Sequence, residues 1–203
     1  MKKCKLINII IVTIILIADI ICAVNSINKN KLETLSTNIV LVFSLLCPII
    51  IEKIFKVKFK WYIKTTIYIF IFLAQFMGCV LNLYRTVNWY DNFVHGLSGI
   101  LTAIGAILFF NIIFNSRKVN KWFILFYLLG SISLVATIWE IIEYTSDIFF
   151  NTDLQYYKES GVNDTMKDII SATIGGLLII MPYFLEKQTG IVHGTLSKIN
   201  VLE

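Results

Sequence analysis

Six long apolar runs separated by short polar stretches organise this chain, and each run is a predicted helix. They extend from about Ile7 to Val24, Asn38 to Ile51, Tyr62 to Tyr84, Asn92 to Phe114, Trp122 to Tyr144 and Asp168 to Leu185. A bilayer core of about 30 Å takes roughly 20 helical residues to cross, which these runs approach or exceed. Continuous runs of this length do not suit the alternating, roughly ten-residue strands of an outer-membrane barrel. Pro48 is expected to kink the second helix.

Composition agrees with that pattern. Of 203 residues 57% are hydrophobic and 15% charged, and the mean hydropathy is +0.77, more apolar surface than a soluble domain of this size can bury. The expected fold is all-α, a polytopic membrane protein with six transmembrane helices in a single membrane domain over residues 1–203.

Charge adds an orientation. Lys2, Lys3, Lys5, Lys53, Lys56, Lys58, Lys60, Lys64, Arg117, Lys118, Lys121, Lys187 and Lys198 fall on one side of the six segments, and only Lys29, Lys31, Arg85, Lys158 and Lys167 on the other. Basic residues in short loops are retained in the cytoplasm, so both termini are expected inside. The net charge of +5 is then mostly an orientation signal, and no nucleic-acid partner is indicated. The basic start and apolar middle of the first segment also fit a signal peptide. Against that, the run is long, Asp19 interrupts it and no small-x-small cleavage site follows. Cys4, Cys22, Cys47 and Cys79 form no close pair, which points to buried inert thiols rather than disulfides or a thiolate zinc site.

The candidate chemistry lies in seven ionisable residues at the ends of three apolar runs: Asp91, His95, Glu140, Glu143, Asp147, Asp164 and Asp168. The topology places all seven on the extracytoplasmic side. Their spacings of three or four put Asp91 with His95, Glu140 with Glu143, Glu143 with Asp147, and Asp164 with Asp168 on shared helix faces. Small residues continue the same stripes: Gly99 and Ala103, Ala136 and Ser133, Ala172 and Gly176. Such stripes let membrane helices approach closely. Asp91 and Asp164 also suit helix N-caps, and Asp147 a solvated loop. Glu140 and Glu143 stand near the expected end of their helix, where the dipole disfavours carboxylates and a compensating positive group is needed.

Carboxylates with one imidazole suit Mg2+, Mn2+, Zn2+ or Fe2+. The candidate metal ligands are Asp91, His95, Glu140, Glu143, Asp164 and Asp168, and the candidate catalytic residues are His95, Glu140 and Glu143; a hydrogen-bonded acid–base site without any cofactor is the alternative. Asp19 is read as a hydrogen-bonded structural residue, and Gln75 and Asn82 as interhelical bonding groups. Arg85 is placed to neutralise the acids or to hold a phosphate. His193 is expected to be solvated, and the stretch from Thr145 to Lys167, with Tyr156 and Tyr157, to act as a lid.

The segments Trp89-Tyr90-Asp91-Asn92-Phe93-Val94-His95 with Gly99, Trp139-Glu140-Ile141-Ile142-Glu143-Tyr144, and Asp164-Thr165 with Asp168 and Gly175 resemble a known family. It is the YjdF-like family of small bacterial inner-membrane proteins, whose YDxxxH, E-[LI]-I-E-[WY] and DTxxD motifs occur in this order. VanZ-like membrane proteins, linked with glycopeptide resistance, are a more distant likeness. The resemblance spans roughly residues 60–180 and carries no established activity. Here Gly96-Leu97-Ser98-Gly99 replaces the family's aromatic residue and Gln-Gly after the His, and the lead into Asp164 reads Ser160-Gly161-Val162-Asn163.

Three functional classes remain open at this level. One is an enzyme acting on a lipid or lipid-linked envelope substrate. Another is a small transporter or exporter, expected as a homodimer, with the carboxylates as a cation or proton relay. The third is a non-enzymatic accessory or immunity protein.

Overall fold

The computed structural model describes residues 2–29, 32–54, 56, 58–114, 119–150, 153–155 and 157–189. Arg117, Lys118, Lys31, Tyr156, His193 and Lys198 lie outside them, as do the side chains of Lys2, Lys3, Cys4, Lys5 and Lys187. The order is α1 (Lys2–Asn28), α2 (Leu32–Ile54), α3 (Trp61–Ile71) running on into a π-helical segment (Phe72–Val80), α4 (Leu83–Thr86), α5 (Tyr90–Phe114), α6 (Lys121–Phe150), α7 (Tyr157–Ser160) and α8 (Asn163–Thr189). Six of the helices are long and apolar enough to cross a membrane, and no strand element occurs among the described residues.

Most helices outrun the apolar windows, because backbone hydrogen bonding continues into polar ends that lie beyond a hydrocarbon core. Thus α6 runs to Phe150 and α8 starts at Asn163, well outside the apolar limits of their segments. The third run is the exception. Its spanning helix stops at Val80 rather than continuing to Tyr84, since Asn82 takes a left-handed backbone with φ of 61°. Leu81 N donates to Phe76 O at 2.8 Å, a five-residue step that widens the last turns. Asn82 is therefore an exposed turn residue and does not share a helix face with Gln75.

The described residues divide into two compact units, one within Met1–Tyr90 and one within Asp91–Ile199. The first packs α1, α2, α3 and the π-helical segment around Ile15, Leu41, Leu45, Tyr68, Ile71 and Phe76. Polar pins accompany this core. Asn38 Nδ2 donates to the buried carboxylate of Asp19, which fits the structural reading of that acid. Asn8 Nδ2 donates to Trp61 O at 3.0 Å, and Lys64 pairs with Glu52 at 3.0 Å. In a medium without water, groups like these need an internal partner.

In the second unit α5, α6 and α8 close around Ala103, Ile107, Phe110, Ile124, Leu128, Ile132, Ala136, Ala172, Ile180 and Tyr183. The tightest approach is between α5 and α8. A Cβ at Gly99 would overlap the Ala172 carbonyl, and one at Gly175 the Gly96 carbonyl. Five of the six small positions expected to line helix faces, Gly99, Ala103, Ala136, Ala172 and Gly176, are buried here, whereas Ser133 is exposed.

Large apolar side chains also cover the outside, including Ile14, Phe43, Phe109 and Phe126, the last 70% exposed. So much apolar surface facing outward suits lipid and not water. Cys22, Cys47 and Cys79 form no disulfide among the described residues; Cys47 is exposed on its helix, and Cys22 and Cys79 are half-buried rather than buried.

Because Gly99 lies against main chain rather than a movable side chain, Gly99→Val is expected to lower the stability of the purified protein by about 1–3 kcal/mol, read as a fall in the melting temperature in detergent.

Candidate functional site

Helix direction brings the polar ends of the second unit together. The contacts between Asn92 and Ser171, Gly96 and Gly175, and Gly99 and Gly176 ascend together along α5 and α8, so these helices run the same way, with the first turn of α5 beside the third turn of α8. Along α6 the order reverses: Ile132 meets Gly176, whereas Glu140, eight residues on, is linked through Gln155 to Thr165 near the start of α8. All three helices thus present their polar turns at one end of the unit.

Asp91 and Asp164 each occupy the second position of their helix, inside the first turn and not at the N-cap. There the positive end of the helix dipole favours a carboxylate by about 0.3–1 kcal/mol. One turn further in lie His95 and Asp168, both buried, Asp168 at 2% exposure. His95 Nε2 is 3.4 Å from Asp91 Oδ1 and 3.9 Å from Asp168 Oδ1. One donor atom from each of Asp91, His95 and Asp168 lies within 4.8 Å of the other two, a group able to hold a metal ion. The Ser98 hydroxyl donates to His95 O at 2.7 Å, and the Ser171 hydroxyl to Asn92 Oδ1 at 3.1 Å, tying α5 to α8 beside this group.

Glu140 and Glu143 stand outside that group. They lie within electrostatic range of Asp91 and His95, as Asp164 does. Because α6 continues to Phe150, neither is in its last turn, and the dipole penalty expected for them falls away. Glu143 Oε1 accepts the Trp139 indole N–H at 2.8 Å, one turn back on the same helix. Glu140 is buried at 6% exposure, and its Oε2 accepts Gln155 Nε2 at 3.3 Å.

Asp147 is a helical residue rather than a solvated loop acid. Its carboxylate accepts Leu154 N at 2.7 Å and Gln155 N at 3.1 Å. Together with α7 and the early start of α8, this shortens the expected free loop from Thr145 to Lys167 to a tethered connection. Gln155 drew no attention in the sequence, because an isolated amide between polar neighbours has no spacing to mark it. Arg85 lies in α4, within the first unit.

Residues 7–188 match the family described as predicted membrane protein (DUF2238). The chain belongs to that family. No curated protein and no solved structure matches it. For this member of the DUF2238 family, the chemistry has to be read from the site itself.

That chemistry is defined by two carboxylates and an imidazole close together, His95 and Asp168 buried and Asp91 half-buried. A buried carboxylate with a second, half-buried one beside it is costly when both are charged unless a positive charge stands with them. A proton on His95 or a divalent cation can supply it, and hard oxygen donors with one nitrogen suit Mg2+, Mn2+, Zn2+ or Fe2+.

Removing the tether is expected to loosen the Gln155 segment: in Asp147→Ala, amide hydrogen exchange at Leu154 and Gln155 should speed up by about tenfold or more, from the loss of hydrogen bonds to a charged acceptor worth about 1.5 kcal/mol each, while α5 amides keep their protection.

Proposed function

We propose that the protein is an enzyme of the bacterial cytoplasmic membrane, in which Asp91, His95 and Asp168 hold a divalent cation that acts on the polar part of a lipid or lipid-linked envelope substrate. The observation that carries this reading is the convergence of the three donor atoms within 4.8 Å. A cation at such a place polarises a carbonyl or phosphoryl oxygen, or lowers the pKa of a water. Glu140, Glu143 and Asp164 surround the group as further ligands or as proton donors and acceptors.

Depth supports a headgroup-sized substrate. Asp91 and Asp164 lie in the first turns of membrane-length helices, so the group sits near the end of its spans. The Lys and Arg distribution assigns this end to the extracytoplasmic side, with both termini in the cytoplasm. The order of the Tyr90–His95, Glu140–Tyr144 and Asp164–Asp168 motifs is what we read as YjdF-like, and more distantly VanZ-like. A carrier with a carboxylate relay is the second reading, but carriers place their coupling groups near the midplane, which suits these first-turn residues less well.

Two outcomes are expected. Protein purified in detergent and dialysed against Mn2+, Mg2+, Zn2+ or Fe2+ should retain one of these ions stoichiometrically by elemental analysis, and Asp168→Asn should lose it; a metal-free wild type under all four conditions would overturn the cation site. In intact cells, a Lys158→Cys variant should react with a membrane-impermeant maleimide, and protection until the cells are broken would reverse the orientation.

A further inference from the structure

Glu140 presents an imbalance that the three-residue group does not explain. Its Oε2 is engaged by Gln155, yet its Oε1, fully buried, has no hydrogen-bond partner among the described residues. An acceptor buried without a partner costs about 1–3 kcal/mol, more for a charged group, and an unobserved water or ion is a usual reason for it. The carboxylate is also held on purpose. Gln155 Nε2 lies 3.3 Å from Glu140 Oε2, from Glu140 O and from Thr165 Oγ1, while the Gln155 backbone is itself anchored on Asp147. The amide therefore fixes one oxygen of Glu140 and leaves the other directed elsewhere.

Glu140 is not one of the three residues whose donor atoms cluster, but Gln155 links it to Thr165, three residues before Asp168 on α8. A carboxylate outside the donor group reaches the same ion through a water rather than by a direct bond. We propose that Glu140 Oε1 accepts a hydrogen bond from a water on the cation held by Asp91, His95 and Asp168, with Gln155 as the positioning residue that aims it. This rests on the cation reading above and adds an outer partner to it. Three protein ligands then leave open positions for water and substrate, and one of those waters faces a fixed carboxylate. Such outer-shell partners orient the inner ligands and waters, and their removal commonly weakens metal affinity 10–100-fold.

Calorimetric titration of the full-length, detergent-solubilised protein with Mn2+ alone tests this, with the melting temperature of each metal-free variant as the folding control. Glu140→Gln keeps size and removes the charge; it should weaken Mn2+ about 10–100-fold while the stoichiometry stays at one. Gln155→Ala, which leaves the carboxylate in place but frees it, should weaken Mn2+ by a smaller factor. Unchanged Mn2+ affinity in a folded Glu140→Gln protein overturns the inference and leaves the cation site standing. Complete loss of binding in that folded variant overturns it in favour of direct ligation. Should Glu140→Gln fail to fold, Gln155→Ala decides, and wild-type affinity there overturns the positioning role. Wild-type protein that takes up no Mn2+ overturns this inference, and a lack of uptake of any of the four ions overturns the cation reading beneath it.

Discussion

Contact between α5 and α8 without intervening side chains is what the candidate site depends on. At Gly99 and Gly175 the main chain of one helix occupies the space where a Cβ of the other would stand. Lipid tails are as apolar as the side chains they touch, so membrane helices gain little from hydrophobic exclusion and associate through close packing and internal hydrogen bonds. The glycines supply the packing, and Ser171 to Asn92 supplies a bond across it. With the two helices parallel and this near, the register of Asn92 with Ser171 and of Gly96 with Gly175 brings Asp168 of α8 level with the first turn of α5. His95 and Asp168 meet for that reason, and Asp91 joins them from the turn above.

The same geometry carries an electrostatic cost that the unit meets by division of labour. First-turn placement gives Asp91 and Asp164 a helix dipole. Glu143 has an indole N–H, Asp147 two backbone amides and Glu140 one amide donor. The residual demand for positive charge collects at Asp91, His95 and Asp168, where two carboxylates and one imidazole stand together. The first unit meets its own buried acid differently: Asp19 accepts the Asn38 side-chain amide.

Much of this was legible in the residues. Six apolar runs gave the helices because backbone groups in lipid must bond internally, and the three- and four-residue spacings of Asp91 with His95 and Asp164 with Asp168 follow from the helical period. Small residues at Gly99 and Ala172 marked the close face. Less legible were the helix ends. Apolar content reports where the hydrocarbon is, whereas helices continue as long as their hydrogen bonds do, so α6 outran its window and took Glu140, Glu143 and Asp147 away from a helix end. The stop at Val80 depended on one left-handed residue, Asn82, that no hydropathy pattern records.

By itself, then, the sequence determined an all-helical chain with six membrane-length spans and acids and a histidine grouped at the edges of the last three, since these follow from hydrophobicity and period alone. Which of those groups touch was decided only by the tertiary structure. Helix direction and the glycine contacts set α5 and α8 in register, bringing Asp168 to the Asp91–His95 pair while leaving Glu140 and Glu143 outside that group. A bond such as Gln155 to Glu140 joins residues fifteen apart through a connection with no periodicity, and such a contact exists only once the helices have packed.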